Sequence, residues 1–255
     1  MTTLAVIPAR LGATRLPRKP LRLLAGVPLV IRVWERVSAL GVAERCVIAT
    51  DHSDIVDAAR AAGADFALTD PRHPSGTDRV AEVVARPEFH AFDSILNVQG
   101  DEPFVSAEAL RGAVELVESG RFPLATAAIP ASTDILRAPD VVKVVRADDG
   151  RALYFSRAPI PFLRDEGDSG LLTELVLQHL GVYAYTRDAL AKWVALPPHP
   201  LERVERLEQL RPLAAGIPMG VARLSEATES VRGIDTEDDL EQANERWSNL
   251  TAGWS

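Results

Sequence analysis

The stretch that decides the fold is LAVIPARLGATRLPRKP, residues Leu4 to Pro20. Leu4 to Ile7 is a short apolar run and reads as a buried strand. Four cations follow within ten residues: Arg10, Arg15, Arg18 and Lys19. Pro8, Gly12, Pro17 and Pro20 keep that segment out of regular structure. A basic loop at the carboxyl end of the first strand of an α/β sheet lies where such sheets bind ligands. A solvated basic loop would also explain the charge. The position directly after the strand favours a polyanion site, most simply for a triphosphate.

The rest of the chain sharpens this contrast. Its 255 residues are 47% hydrophobic, enough for one large core or one core with a small lobe. Lys and Arg total 28 against 36 Asp and Glu, a net charge of −8. That balance argues against non-specific nucleic-acid binding and against a polybasic membrane surface. Cys46 is the only cysteine and reads as a small core residue in CVIAT, so no internal disulfide or CxxC metal cluster is possible. The N-terminal MTTLAVIPAR has no charged leader, and no apolar run approaches membrane-spanning length. A cytoplasmic protein without stable membrane association is expected.

Outward from the first strand, the pattern alternates. Strands are expected at residues 45–50, 65–68, 94–98 and 124–129, and helices at 29–40, 53–62, 77–85 and 106–119. This predicts an α/β fold with a mostly parallel sheet flanked by helices. After Pro130 the chain reads as strands at 141–146, 152–156 and 178–186 with turns between them, a mixed or antiparallel extension. Helices at 188–196 and 201–214, a strand at 219–224 and a helix at 236–247 follow. Residues 162–172 are rich in Gly, Asp and Glu and read as a mobile loop.

Five groups of residues could carry chemistry. The first is the loop of Arg10, Arg15 and Lys19, whose cations can neutralise phosphates; it is neither GxxxxGK[ST] nor GxGxxG. The second is NVQGDEP, residues 97–103, where Asp101 and Glu102 emerge at a strand end and Gly100 permits close approach by a ligand. Capping of the next helix is the plainer role for an acid there, but Ser106 is better placed for it. The third is GIDTEDD, residues 233–239. Thr236 and Asp239 read as an imperfect capping box, which accounts for the later acids. Asp235 has no such role and is expected as a second metal ligand facing Asp101. The fourth is HPSGTDR, residues 73–79, whose amides and hydroxyls before a helix could read a base or sugar. The fifth comprises Arg157, His179, Tyr183, Glu208 and Gln209. His179 and Tyr183 lie four apart on a strand and share one face. A polar residue on such elements is as often a satisfied core group as a ligand contact. No Ser/His/Asp or Cys/His nucleophile pattern stands out, and the set suits metal-assisted phosphoryl or nucleotidyl transfer.

The segments VIPARLGATRLPRKPL, IATDH, HPSGTDRVAEVV, NVQGDEP, VVKVV, ALYFSRAPIPF, HLGVYAY, PLERVERLEQLR and GIDTEDDLE span nearly the whole chain. In that order they resemble the 3-deoxy-manno-octulosonate cytidylyltransferase family. The resemblance implies a Rossmann-like nucleotidyltransferase fold over residues 1–255 as a single domain and a homodimer. About 1–130 would form the nucleotide-binding half, about 131–225 the sugar-binding and dimerisation part, and 226–255 a return to the core. It implies that CTP and Kdo, a 2-keto-3-deoxy sugar acid, give CMP-Kdo and pyrophosphate with Mg²⁺, for lipopolysaccharide-type glycans. Pro8, Ala9, Arg10, Arg15, Lys19, Ser75, Thr77, Arg79 and Gln99 would bind CTP. Asp101 and Asp235 would bind Mg²⁺, and with Lys19 and Arg10 form the catalytic set. Gln99, Arg157, His179, Tyr183 and Glu208 would line the sugar-acid pocket, Arg157 meeting the carboxylate.

This chain departs from the family at Leu11-Gly12-Ala13, where Tyr-Ala-Ser is frequent, at Arg18, where Gly is frequent, and at Phe162, where Trp is usual. The same chemistry on an 8-amino-Kdo, another sugar acid or a phosphonate is the alternative. A glycosyltransferase would want a DxD motif, which Asp101-Glu102-Pro103 is not. A non-catalytic nucleotide sensor would not need Asp101, Asp235 and Lys19 together.

Overall fold

A computed structural model describes residues 2–12, 16–225 and 233–252. They fall into two compact units, one of residues 2–106 with 233–252, the other of residues 107–225.

The first unit runs β1 (Thr3–Ala9), the short strands β2 (Leu23–Leu24) and β3 (Val27–Pro28), α1 (Leu29–Ala39), β4 (Arg45–Thr50), α2 (Ser53–Ala61), β5 (Asp65–Leu68), α3 (Gly76–Val84) and β6 (Ser94–Val98). Its main sheet has the order β6-β1-β4-β5 with every neighbouring pair parallel. Val6 sits opposite Val47 on one side and Asn97 on the other. All of β1 is buried, as a central strand covered on both faces requires. The chain moves outward from β1 to β4 and β5, then returns to the far side of β1 as β6. That reversal makes a topological switch point at the carboxyl ends of β1 and β6. A C-terminal helix, Glu237–Ala252, packs Leu240 and Ala243 against Leu16, Leu24, Leu29 and Ile234.

The second unit runs α4 (Ala107–Glu118), β7 (Leu124–Pro130), β8 (Lys143–Arg146), β9 (Ala152–Ser156), α5 (Ser169–Leu175), β10 (Leu177–Thr186), α6 (Arg187–Ala195), α7 (Pro200–Glu205), α8 (Leu210–Ala214) and β11 (Met219–Arg223). β11 runs parallel to β7, β7 antiparallel to β10, and β8 antiparallel to both β10 and β9. This is the mixed extension that the sequence predicts.

Most expected elements end within two residues of their observed bounds. Gly63 and Gly120 take φ of +70° and +72° just past α2 and α4, the left-handed stop that glycine favours. Four segments differ from expectation, the C-terminal helix, expected over 236–247, by running on to Ala252. The helix expected over 201–214 is two, because Arg206 adopts a left-handed conformation with φ 57°. Arg211 closes that break with a two-point ion pair to Glu202. The stretch expected as a loop at 162–172 contains a 3₁₀ turn, Glu166–Asp168, and enters α5 at Ser169. Asp165 starts it by accepting a hydrogen bond from the Gly167 amide at 2.9 Å. The strand expected from Val141 begins at Lys143, because Val141 donates its amide to Ala138 in a turn.

Gly220 lets β11 pack closely on the segment after α4. A Cβ on Gly220 would lie 2.5 Å from a ring carbon of Phe122. Gly220→Ala is expected to destabilise the protein by about 1–3 kcal/mol in urea denaturation. Gly170→Ala, where a Cβ meets nothing within 4 Å, serves as the near-neutral control.

Candidate active site

At the switch point, three charged side chains from distant parts of the chain converge. Leu16 is buried and pins the loop after β1 to the core. The Lys19 amide donates to the Leu16 carbonyl at 3.1 Å, and a 3₁₀ turn, Lys19–Leu21, follows. Arg18 enters that turn with φ 56°, a conformation that costs a non-glycine residue about 1 kcal/mol. A backbone of this kind explains why glycine suits the position. The Arg18 side chain points to an exposed ion pair with Asp54. Lys19 turns inward instead. Its ammonium donates to Asp101 Oδ2 and, at 2.8 Å, to Asp235 Oδ1.

Main-chain bonds set the two aspartates side by side. The Ile234 amide donates to the Asp101 carbonyl at 3.0 Å, stitching residues 233–235 to the end of β6. Thr236 caps the C-terminal helix, accepting from the Asp239 amide at 3.2 Å. In return the Asp239 carboxylate accepts from the amides of Asp235 and Thr236, at 3.0 and 2.8 Å. This is the expected capping box, and it spares the Asp235 carboxylate for Lys19.

The local field is negative. Burial alone would push the Lys19 pKa down, but Asp101 and then Asp235 outweigh it and raise it above the ordinary lysine value. Glu102 is pushed up to about 8, first by burial and then by repulsion from Asp101. Three acids thus face one ammonium. The set offers hard oxygen donors from Asp101 and Asp235 on a common cation, which suits a divalent metal that takes its other ligands from phosphates and water. Among the described residues, no group of three or more His, Cys, Asp or Glu forms a metal cage of protein ligands alone.

Of the other nucleotide-side candidates, Pro8 and Ala9 end β1, and Arg10 beyond them is exposed. Arg15 lies outside the described residues. Gly76 is close enough to Pro8 that a Cβ would sit 3.3 Å from the proline ring and 3.8 Å from Gln99 Oε1. Pro8, Gln99 and the start of α3 are therefore neighbours. Ser75 caps α3, accepting from the Asp78 amide at 3.3 Å and donating to its carboxylate at 2.7 Å. Thr77 is buried in the first turn. Arg79 is 2% exposed, with its guanidinium on Asp51 at 2.9 Å and on the Thr69 hydroxyl. It ties α3 to the strand ends and does not reach out as a direct ligand would. Gly100 packs against β1 as well. A Cβ there would meet the Pro8 carbonyl at 3.0 Å, so the glycine lets β1 approach closely.

The candidates of the second unit lie on its mixed sheet. His179 and Tyr183 have ring centroids 5.5 Å apart, where four residues of straight strand would span about 13 Å. A bulge in β10 between Leu180 and Tyr183 closes the gap. Thr126 on β7 donates its hydroxyl to the Val182 carbonyl at 2.7 Å, so its oxygen accepts from His179 Nε2 at 2.9 Å. Burial pushes the His179 pKa down to about 3 and holds the Tyr183 phenol well above its usual value. Arg157 follows β9, its Nε donating to the Glu205 carbonyl at 3.0 Å and its Nη1 to the Pro139 carbonyl at 3.0 Å. Glu208 lies between α7 and α8. Sequence reasoning missed Thr126 and Glu205. A lone hydroxyl in the apolar run LATAAIP was the only signal for the first, and one of the two acids in PLERVE gave none for the second.

The comparisons with known proteins agree in one direction. The cytidylyltransferase family model matches residues 4–223. The chain is 65% identical over 252 residues to a curated 3-deoxy-manno-octulosonate cytidylyltransferase of Gemmatimonas aurantiaca, covering 99% of this chain and 96% of that one. It is similar, with a TM-score of 0.88 and 34% identity, to a solved structure of CMP:2-keto-3-deoxy-manno-octonic acid synthetase complexed with CTP; the match covers 98% of this chain and 100% of that one. A cytidylyltransferase of Leptospira borgpetersenii shares the fold at TM-score 0.63 and 17% identity, over 98% of this chain and 87% of that one.

The partly buried imidazole of His179 fixes one pH response. Its folded pKa lies below the unfolded value of about 6.5, so the unfolded state binds the extra proton. Its contribution to stability is complete above about pH 6.5 and is lost as pH falls toward 3. Between pH 6.5 and 5 the protein should lose about 1–2 kcal/mol through this group. Denaturation midpoints at the two pH values should differ less in His179→Gln than in the parent.

Proposed function

The chain belongs to the cytidylyltransferase family, with 3-deoxy-manno-octulosonate cytidylyltransferase as a near relative, and from that membership we propose that it joins CTP and Kdo into CMP-Kdo and pyrophosphate. The observation that carries the reading is the meeting of Lys19, Asp101 and Asp235 at the switch point of the parallel sheet. A triphosphate needs cations there, and nucleotidyl transfer needs charge neutralised as pyrophosphate leaves.

In this reading Arg10, Arg15 and Lys19 grip the CTP phosphates. Pro8, Ala9, Ser75, Thr77 and Gln99 surround the nucleotide, while Arg79 holds the start of α3 in place through Asp51 and Thr69. Asp101 and Asp235 hold Mg²⁺, which when bound neutralises phosphate charge and acidifies the attacking hydroxyl. Lys19 then has phosphate oxygens to answer as well as carboxylates. Arg157 takes the carboxylate of the sugar acid, and His179, Tyr183 and Glu208 contact its hydroxyls. The anomeric hydroxyl gives up its proton to water as its oxygen attacks the α-phosphorus in line, the α–β phosphoanhydride bond breaks, and the cationic loop stabilises the departing pyrophosphate. His179 stays neutral at working pH, so it can orient a hydroxyl without carrying charge.

The protein works as a homodimer in the cytoplasm. Among the described residues, six of the nine exposed large hydrophobics, Phe162 and Val204 foremost at 81% and 83% exposed, lie in the second unit, which supports assembly through that part. No helix among the described residues is long and apolar enough to cross a membrane.

Two measurements test the reading. Pyrophosphate release from CTP should be fastest with Kdo in a panel that includes 8-amino-Kdo, sialic acid and a phosphonate analogue; a faster rival would reassign the sugar. Asp101→Asn should keep its fold by circular dichroism and lose at least about 10²-fold in kcat. Near-parental turnover in that variant with Mg²⁺ supplied would remove the metal assignment.

A further inference from the structure

The second unit holds one buried ammonium that the proposed reaction does not use. Lys143 sits in β8 between Gln178 of β10 and Ser156 of β9, and it is fully buried. Its Nζ donates to three main-chain carbonyls: Val141 at 2.8 Å, Ala138 at 3.0 Å and Arg157 at 2.6 Å. Burial depresses its pKa below the ordinary lysine value. A core needing only volume would place an apolar residue here, since an ammonium in such surroundings is costly unless every proton is used.

The three carbonyls have a direction. Two belong to the turn before β8 and the third to Arg157 itself. The same turn supplies the Pro139 carbonyl that accepts from Arg157 Nη1 at 3.0 Å, with the Asp140 carbonyl at 3.4 Å. Glu205 holds the opposite side. Its carboxylate accepts from the Arg157 amide at 3.0 Å and from the Ser156 hydroxyl at 2.6 Å, and its carbonyl accepts from Arg157 Nε. Among the described residues, two of the three guanidinium nitrogens are thus fixed by main chain, and Nη2 is the nitrogen left to answer a ligand.

We infer that Lys143 is a positioning residue for Arg157, clamping the 138–141 turn to the Arg157 main chain so that the guanidinium presents Nη2 to the carboxylate of a 2-keto sugar acid. The inference rests on the reading that Arg157 binds that carboxylate. A clamp of this kind acts on sugar-acid affinity and leaves CTP affinity alone.

Steady-state kinetics on the full chain, with CTP and Kdo varied separately, test it in Lys143→Met, Lys143→Gln, Arg157→Ala and the double variants. Melting curves establish that each variant is folded. Each Lys143 variant should raise the KM for Kdo by about tenfold or more and change the KM for CTP by less than about twofold. In the Arg157→Ala background the Lys143 substitutions should add no further rise, because the group they position is gone. If Arg157→Ala leaves the KM for Kdo unchanged, the parent reading fails and takes the inference with it. If Arg157→Ala raises that KM while the Lys143 variants do not, or raise it equally in both backgrounds, the inference alone is overturned. Failure of both Lys143 variants to fold would assign the residue to the core and overturn it too.

Discussion

One ammonium group organises the first unit. Lys19 reaches Asp101 and Asp235 at once, and these residues come from the loop after β1, the end of β6 and the segment leading into the C-terminal helix. A partly buried ion pair of this kind adds little net stability, because desolvation offsets attraction. Its effect is positional. Without the cation, two carboxylates at one strand-end crevice would repel, and residues 233–235 would have less reason to lie along β6. The Ile234 amide and the Asp239 capping carboxylate fix the backbone, and Lys19 fixes the side chains.

The second unit solves the same problem with neutral partners. Arg157 is held chiefly by main-chain carbonyls, and His179 by a hydroxyl. Carbonyls orient a cation without cancelling its charge, so Arg157 keeps its attraction for an anionic ligand. An aspartate in the place of the Pro139 carbonyl would orient the guanidinium equally well and weaken that attraction. The two units therefore handle charge according to what each is proposed to bind. One arranges acids around a cation, and the other leaves a cation available to an acid.

Much of this was legible in the sequence where the signal is local. The apolar run before Pro8, the acids after Val98 and the cap at Thr236 each depend on neighbours a few residues away, and the structure places each as read. Signals that depend on distant contacts were not legible. Lys19 read as a phosphate ligand, and its pairing with Asp101 spans 82 residues. Leu207 and Leu210 fit a continuous helix as well as a broken one, so the turn at Arg206 left no trace in the periodicity. Strand spacing put His179 and Tyr183 on one face, but only the bulge explains why their rings touch. The packing of Gly100 on β1 is likewise invisible from NVQGDEP alone.

The split of the first unit along the chain has a consequence for synthesis. Residues 2–106 leave the ribosome well before residues 233–252, with the whole second unit translated between them. During that interval the crevice contains Lys19, Asp101 and Glu102 but neither the Ile234 amide that bonds the Asp101 carbonyl nor the Asp235 carboxylate. A nascent chain can thus fold most of its parallel sheet early while its proposed metal ligands stay incomplete. The charge arrangement of the proposed reaction is closed only once Asp235 has emerged, so a chain terminated before it would retain much of the parallel sheet and lack the centre.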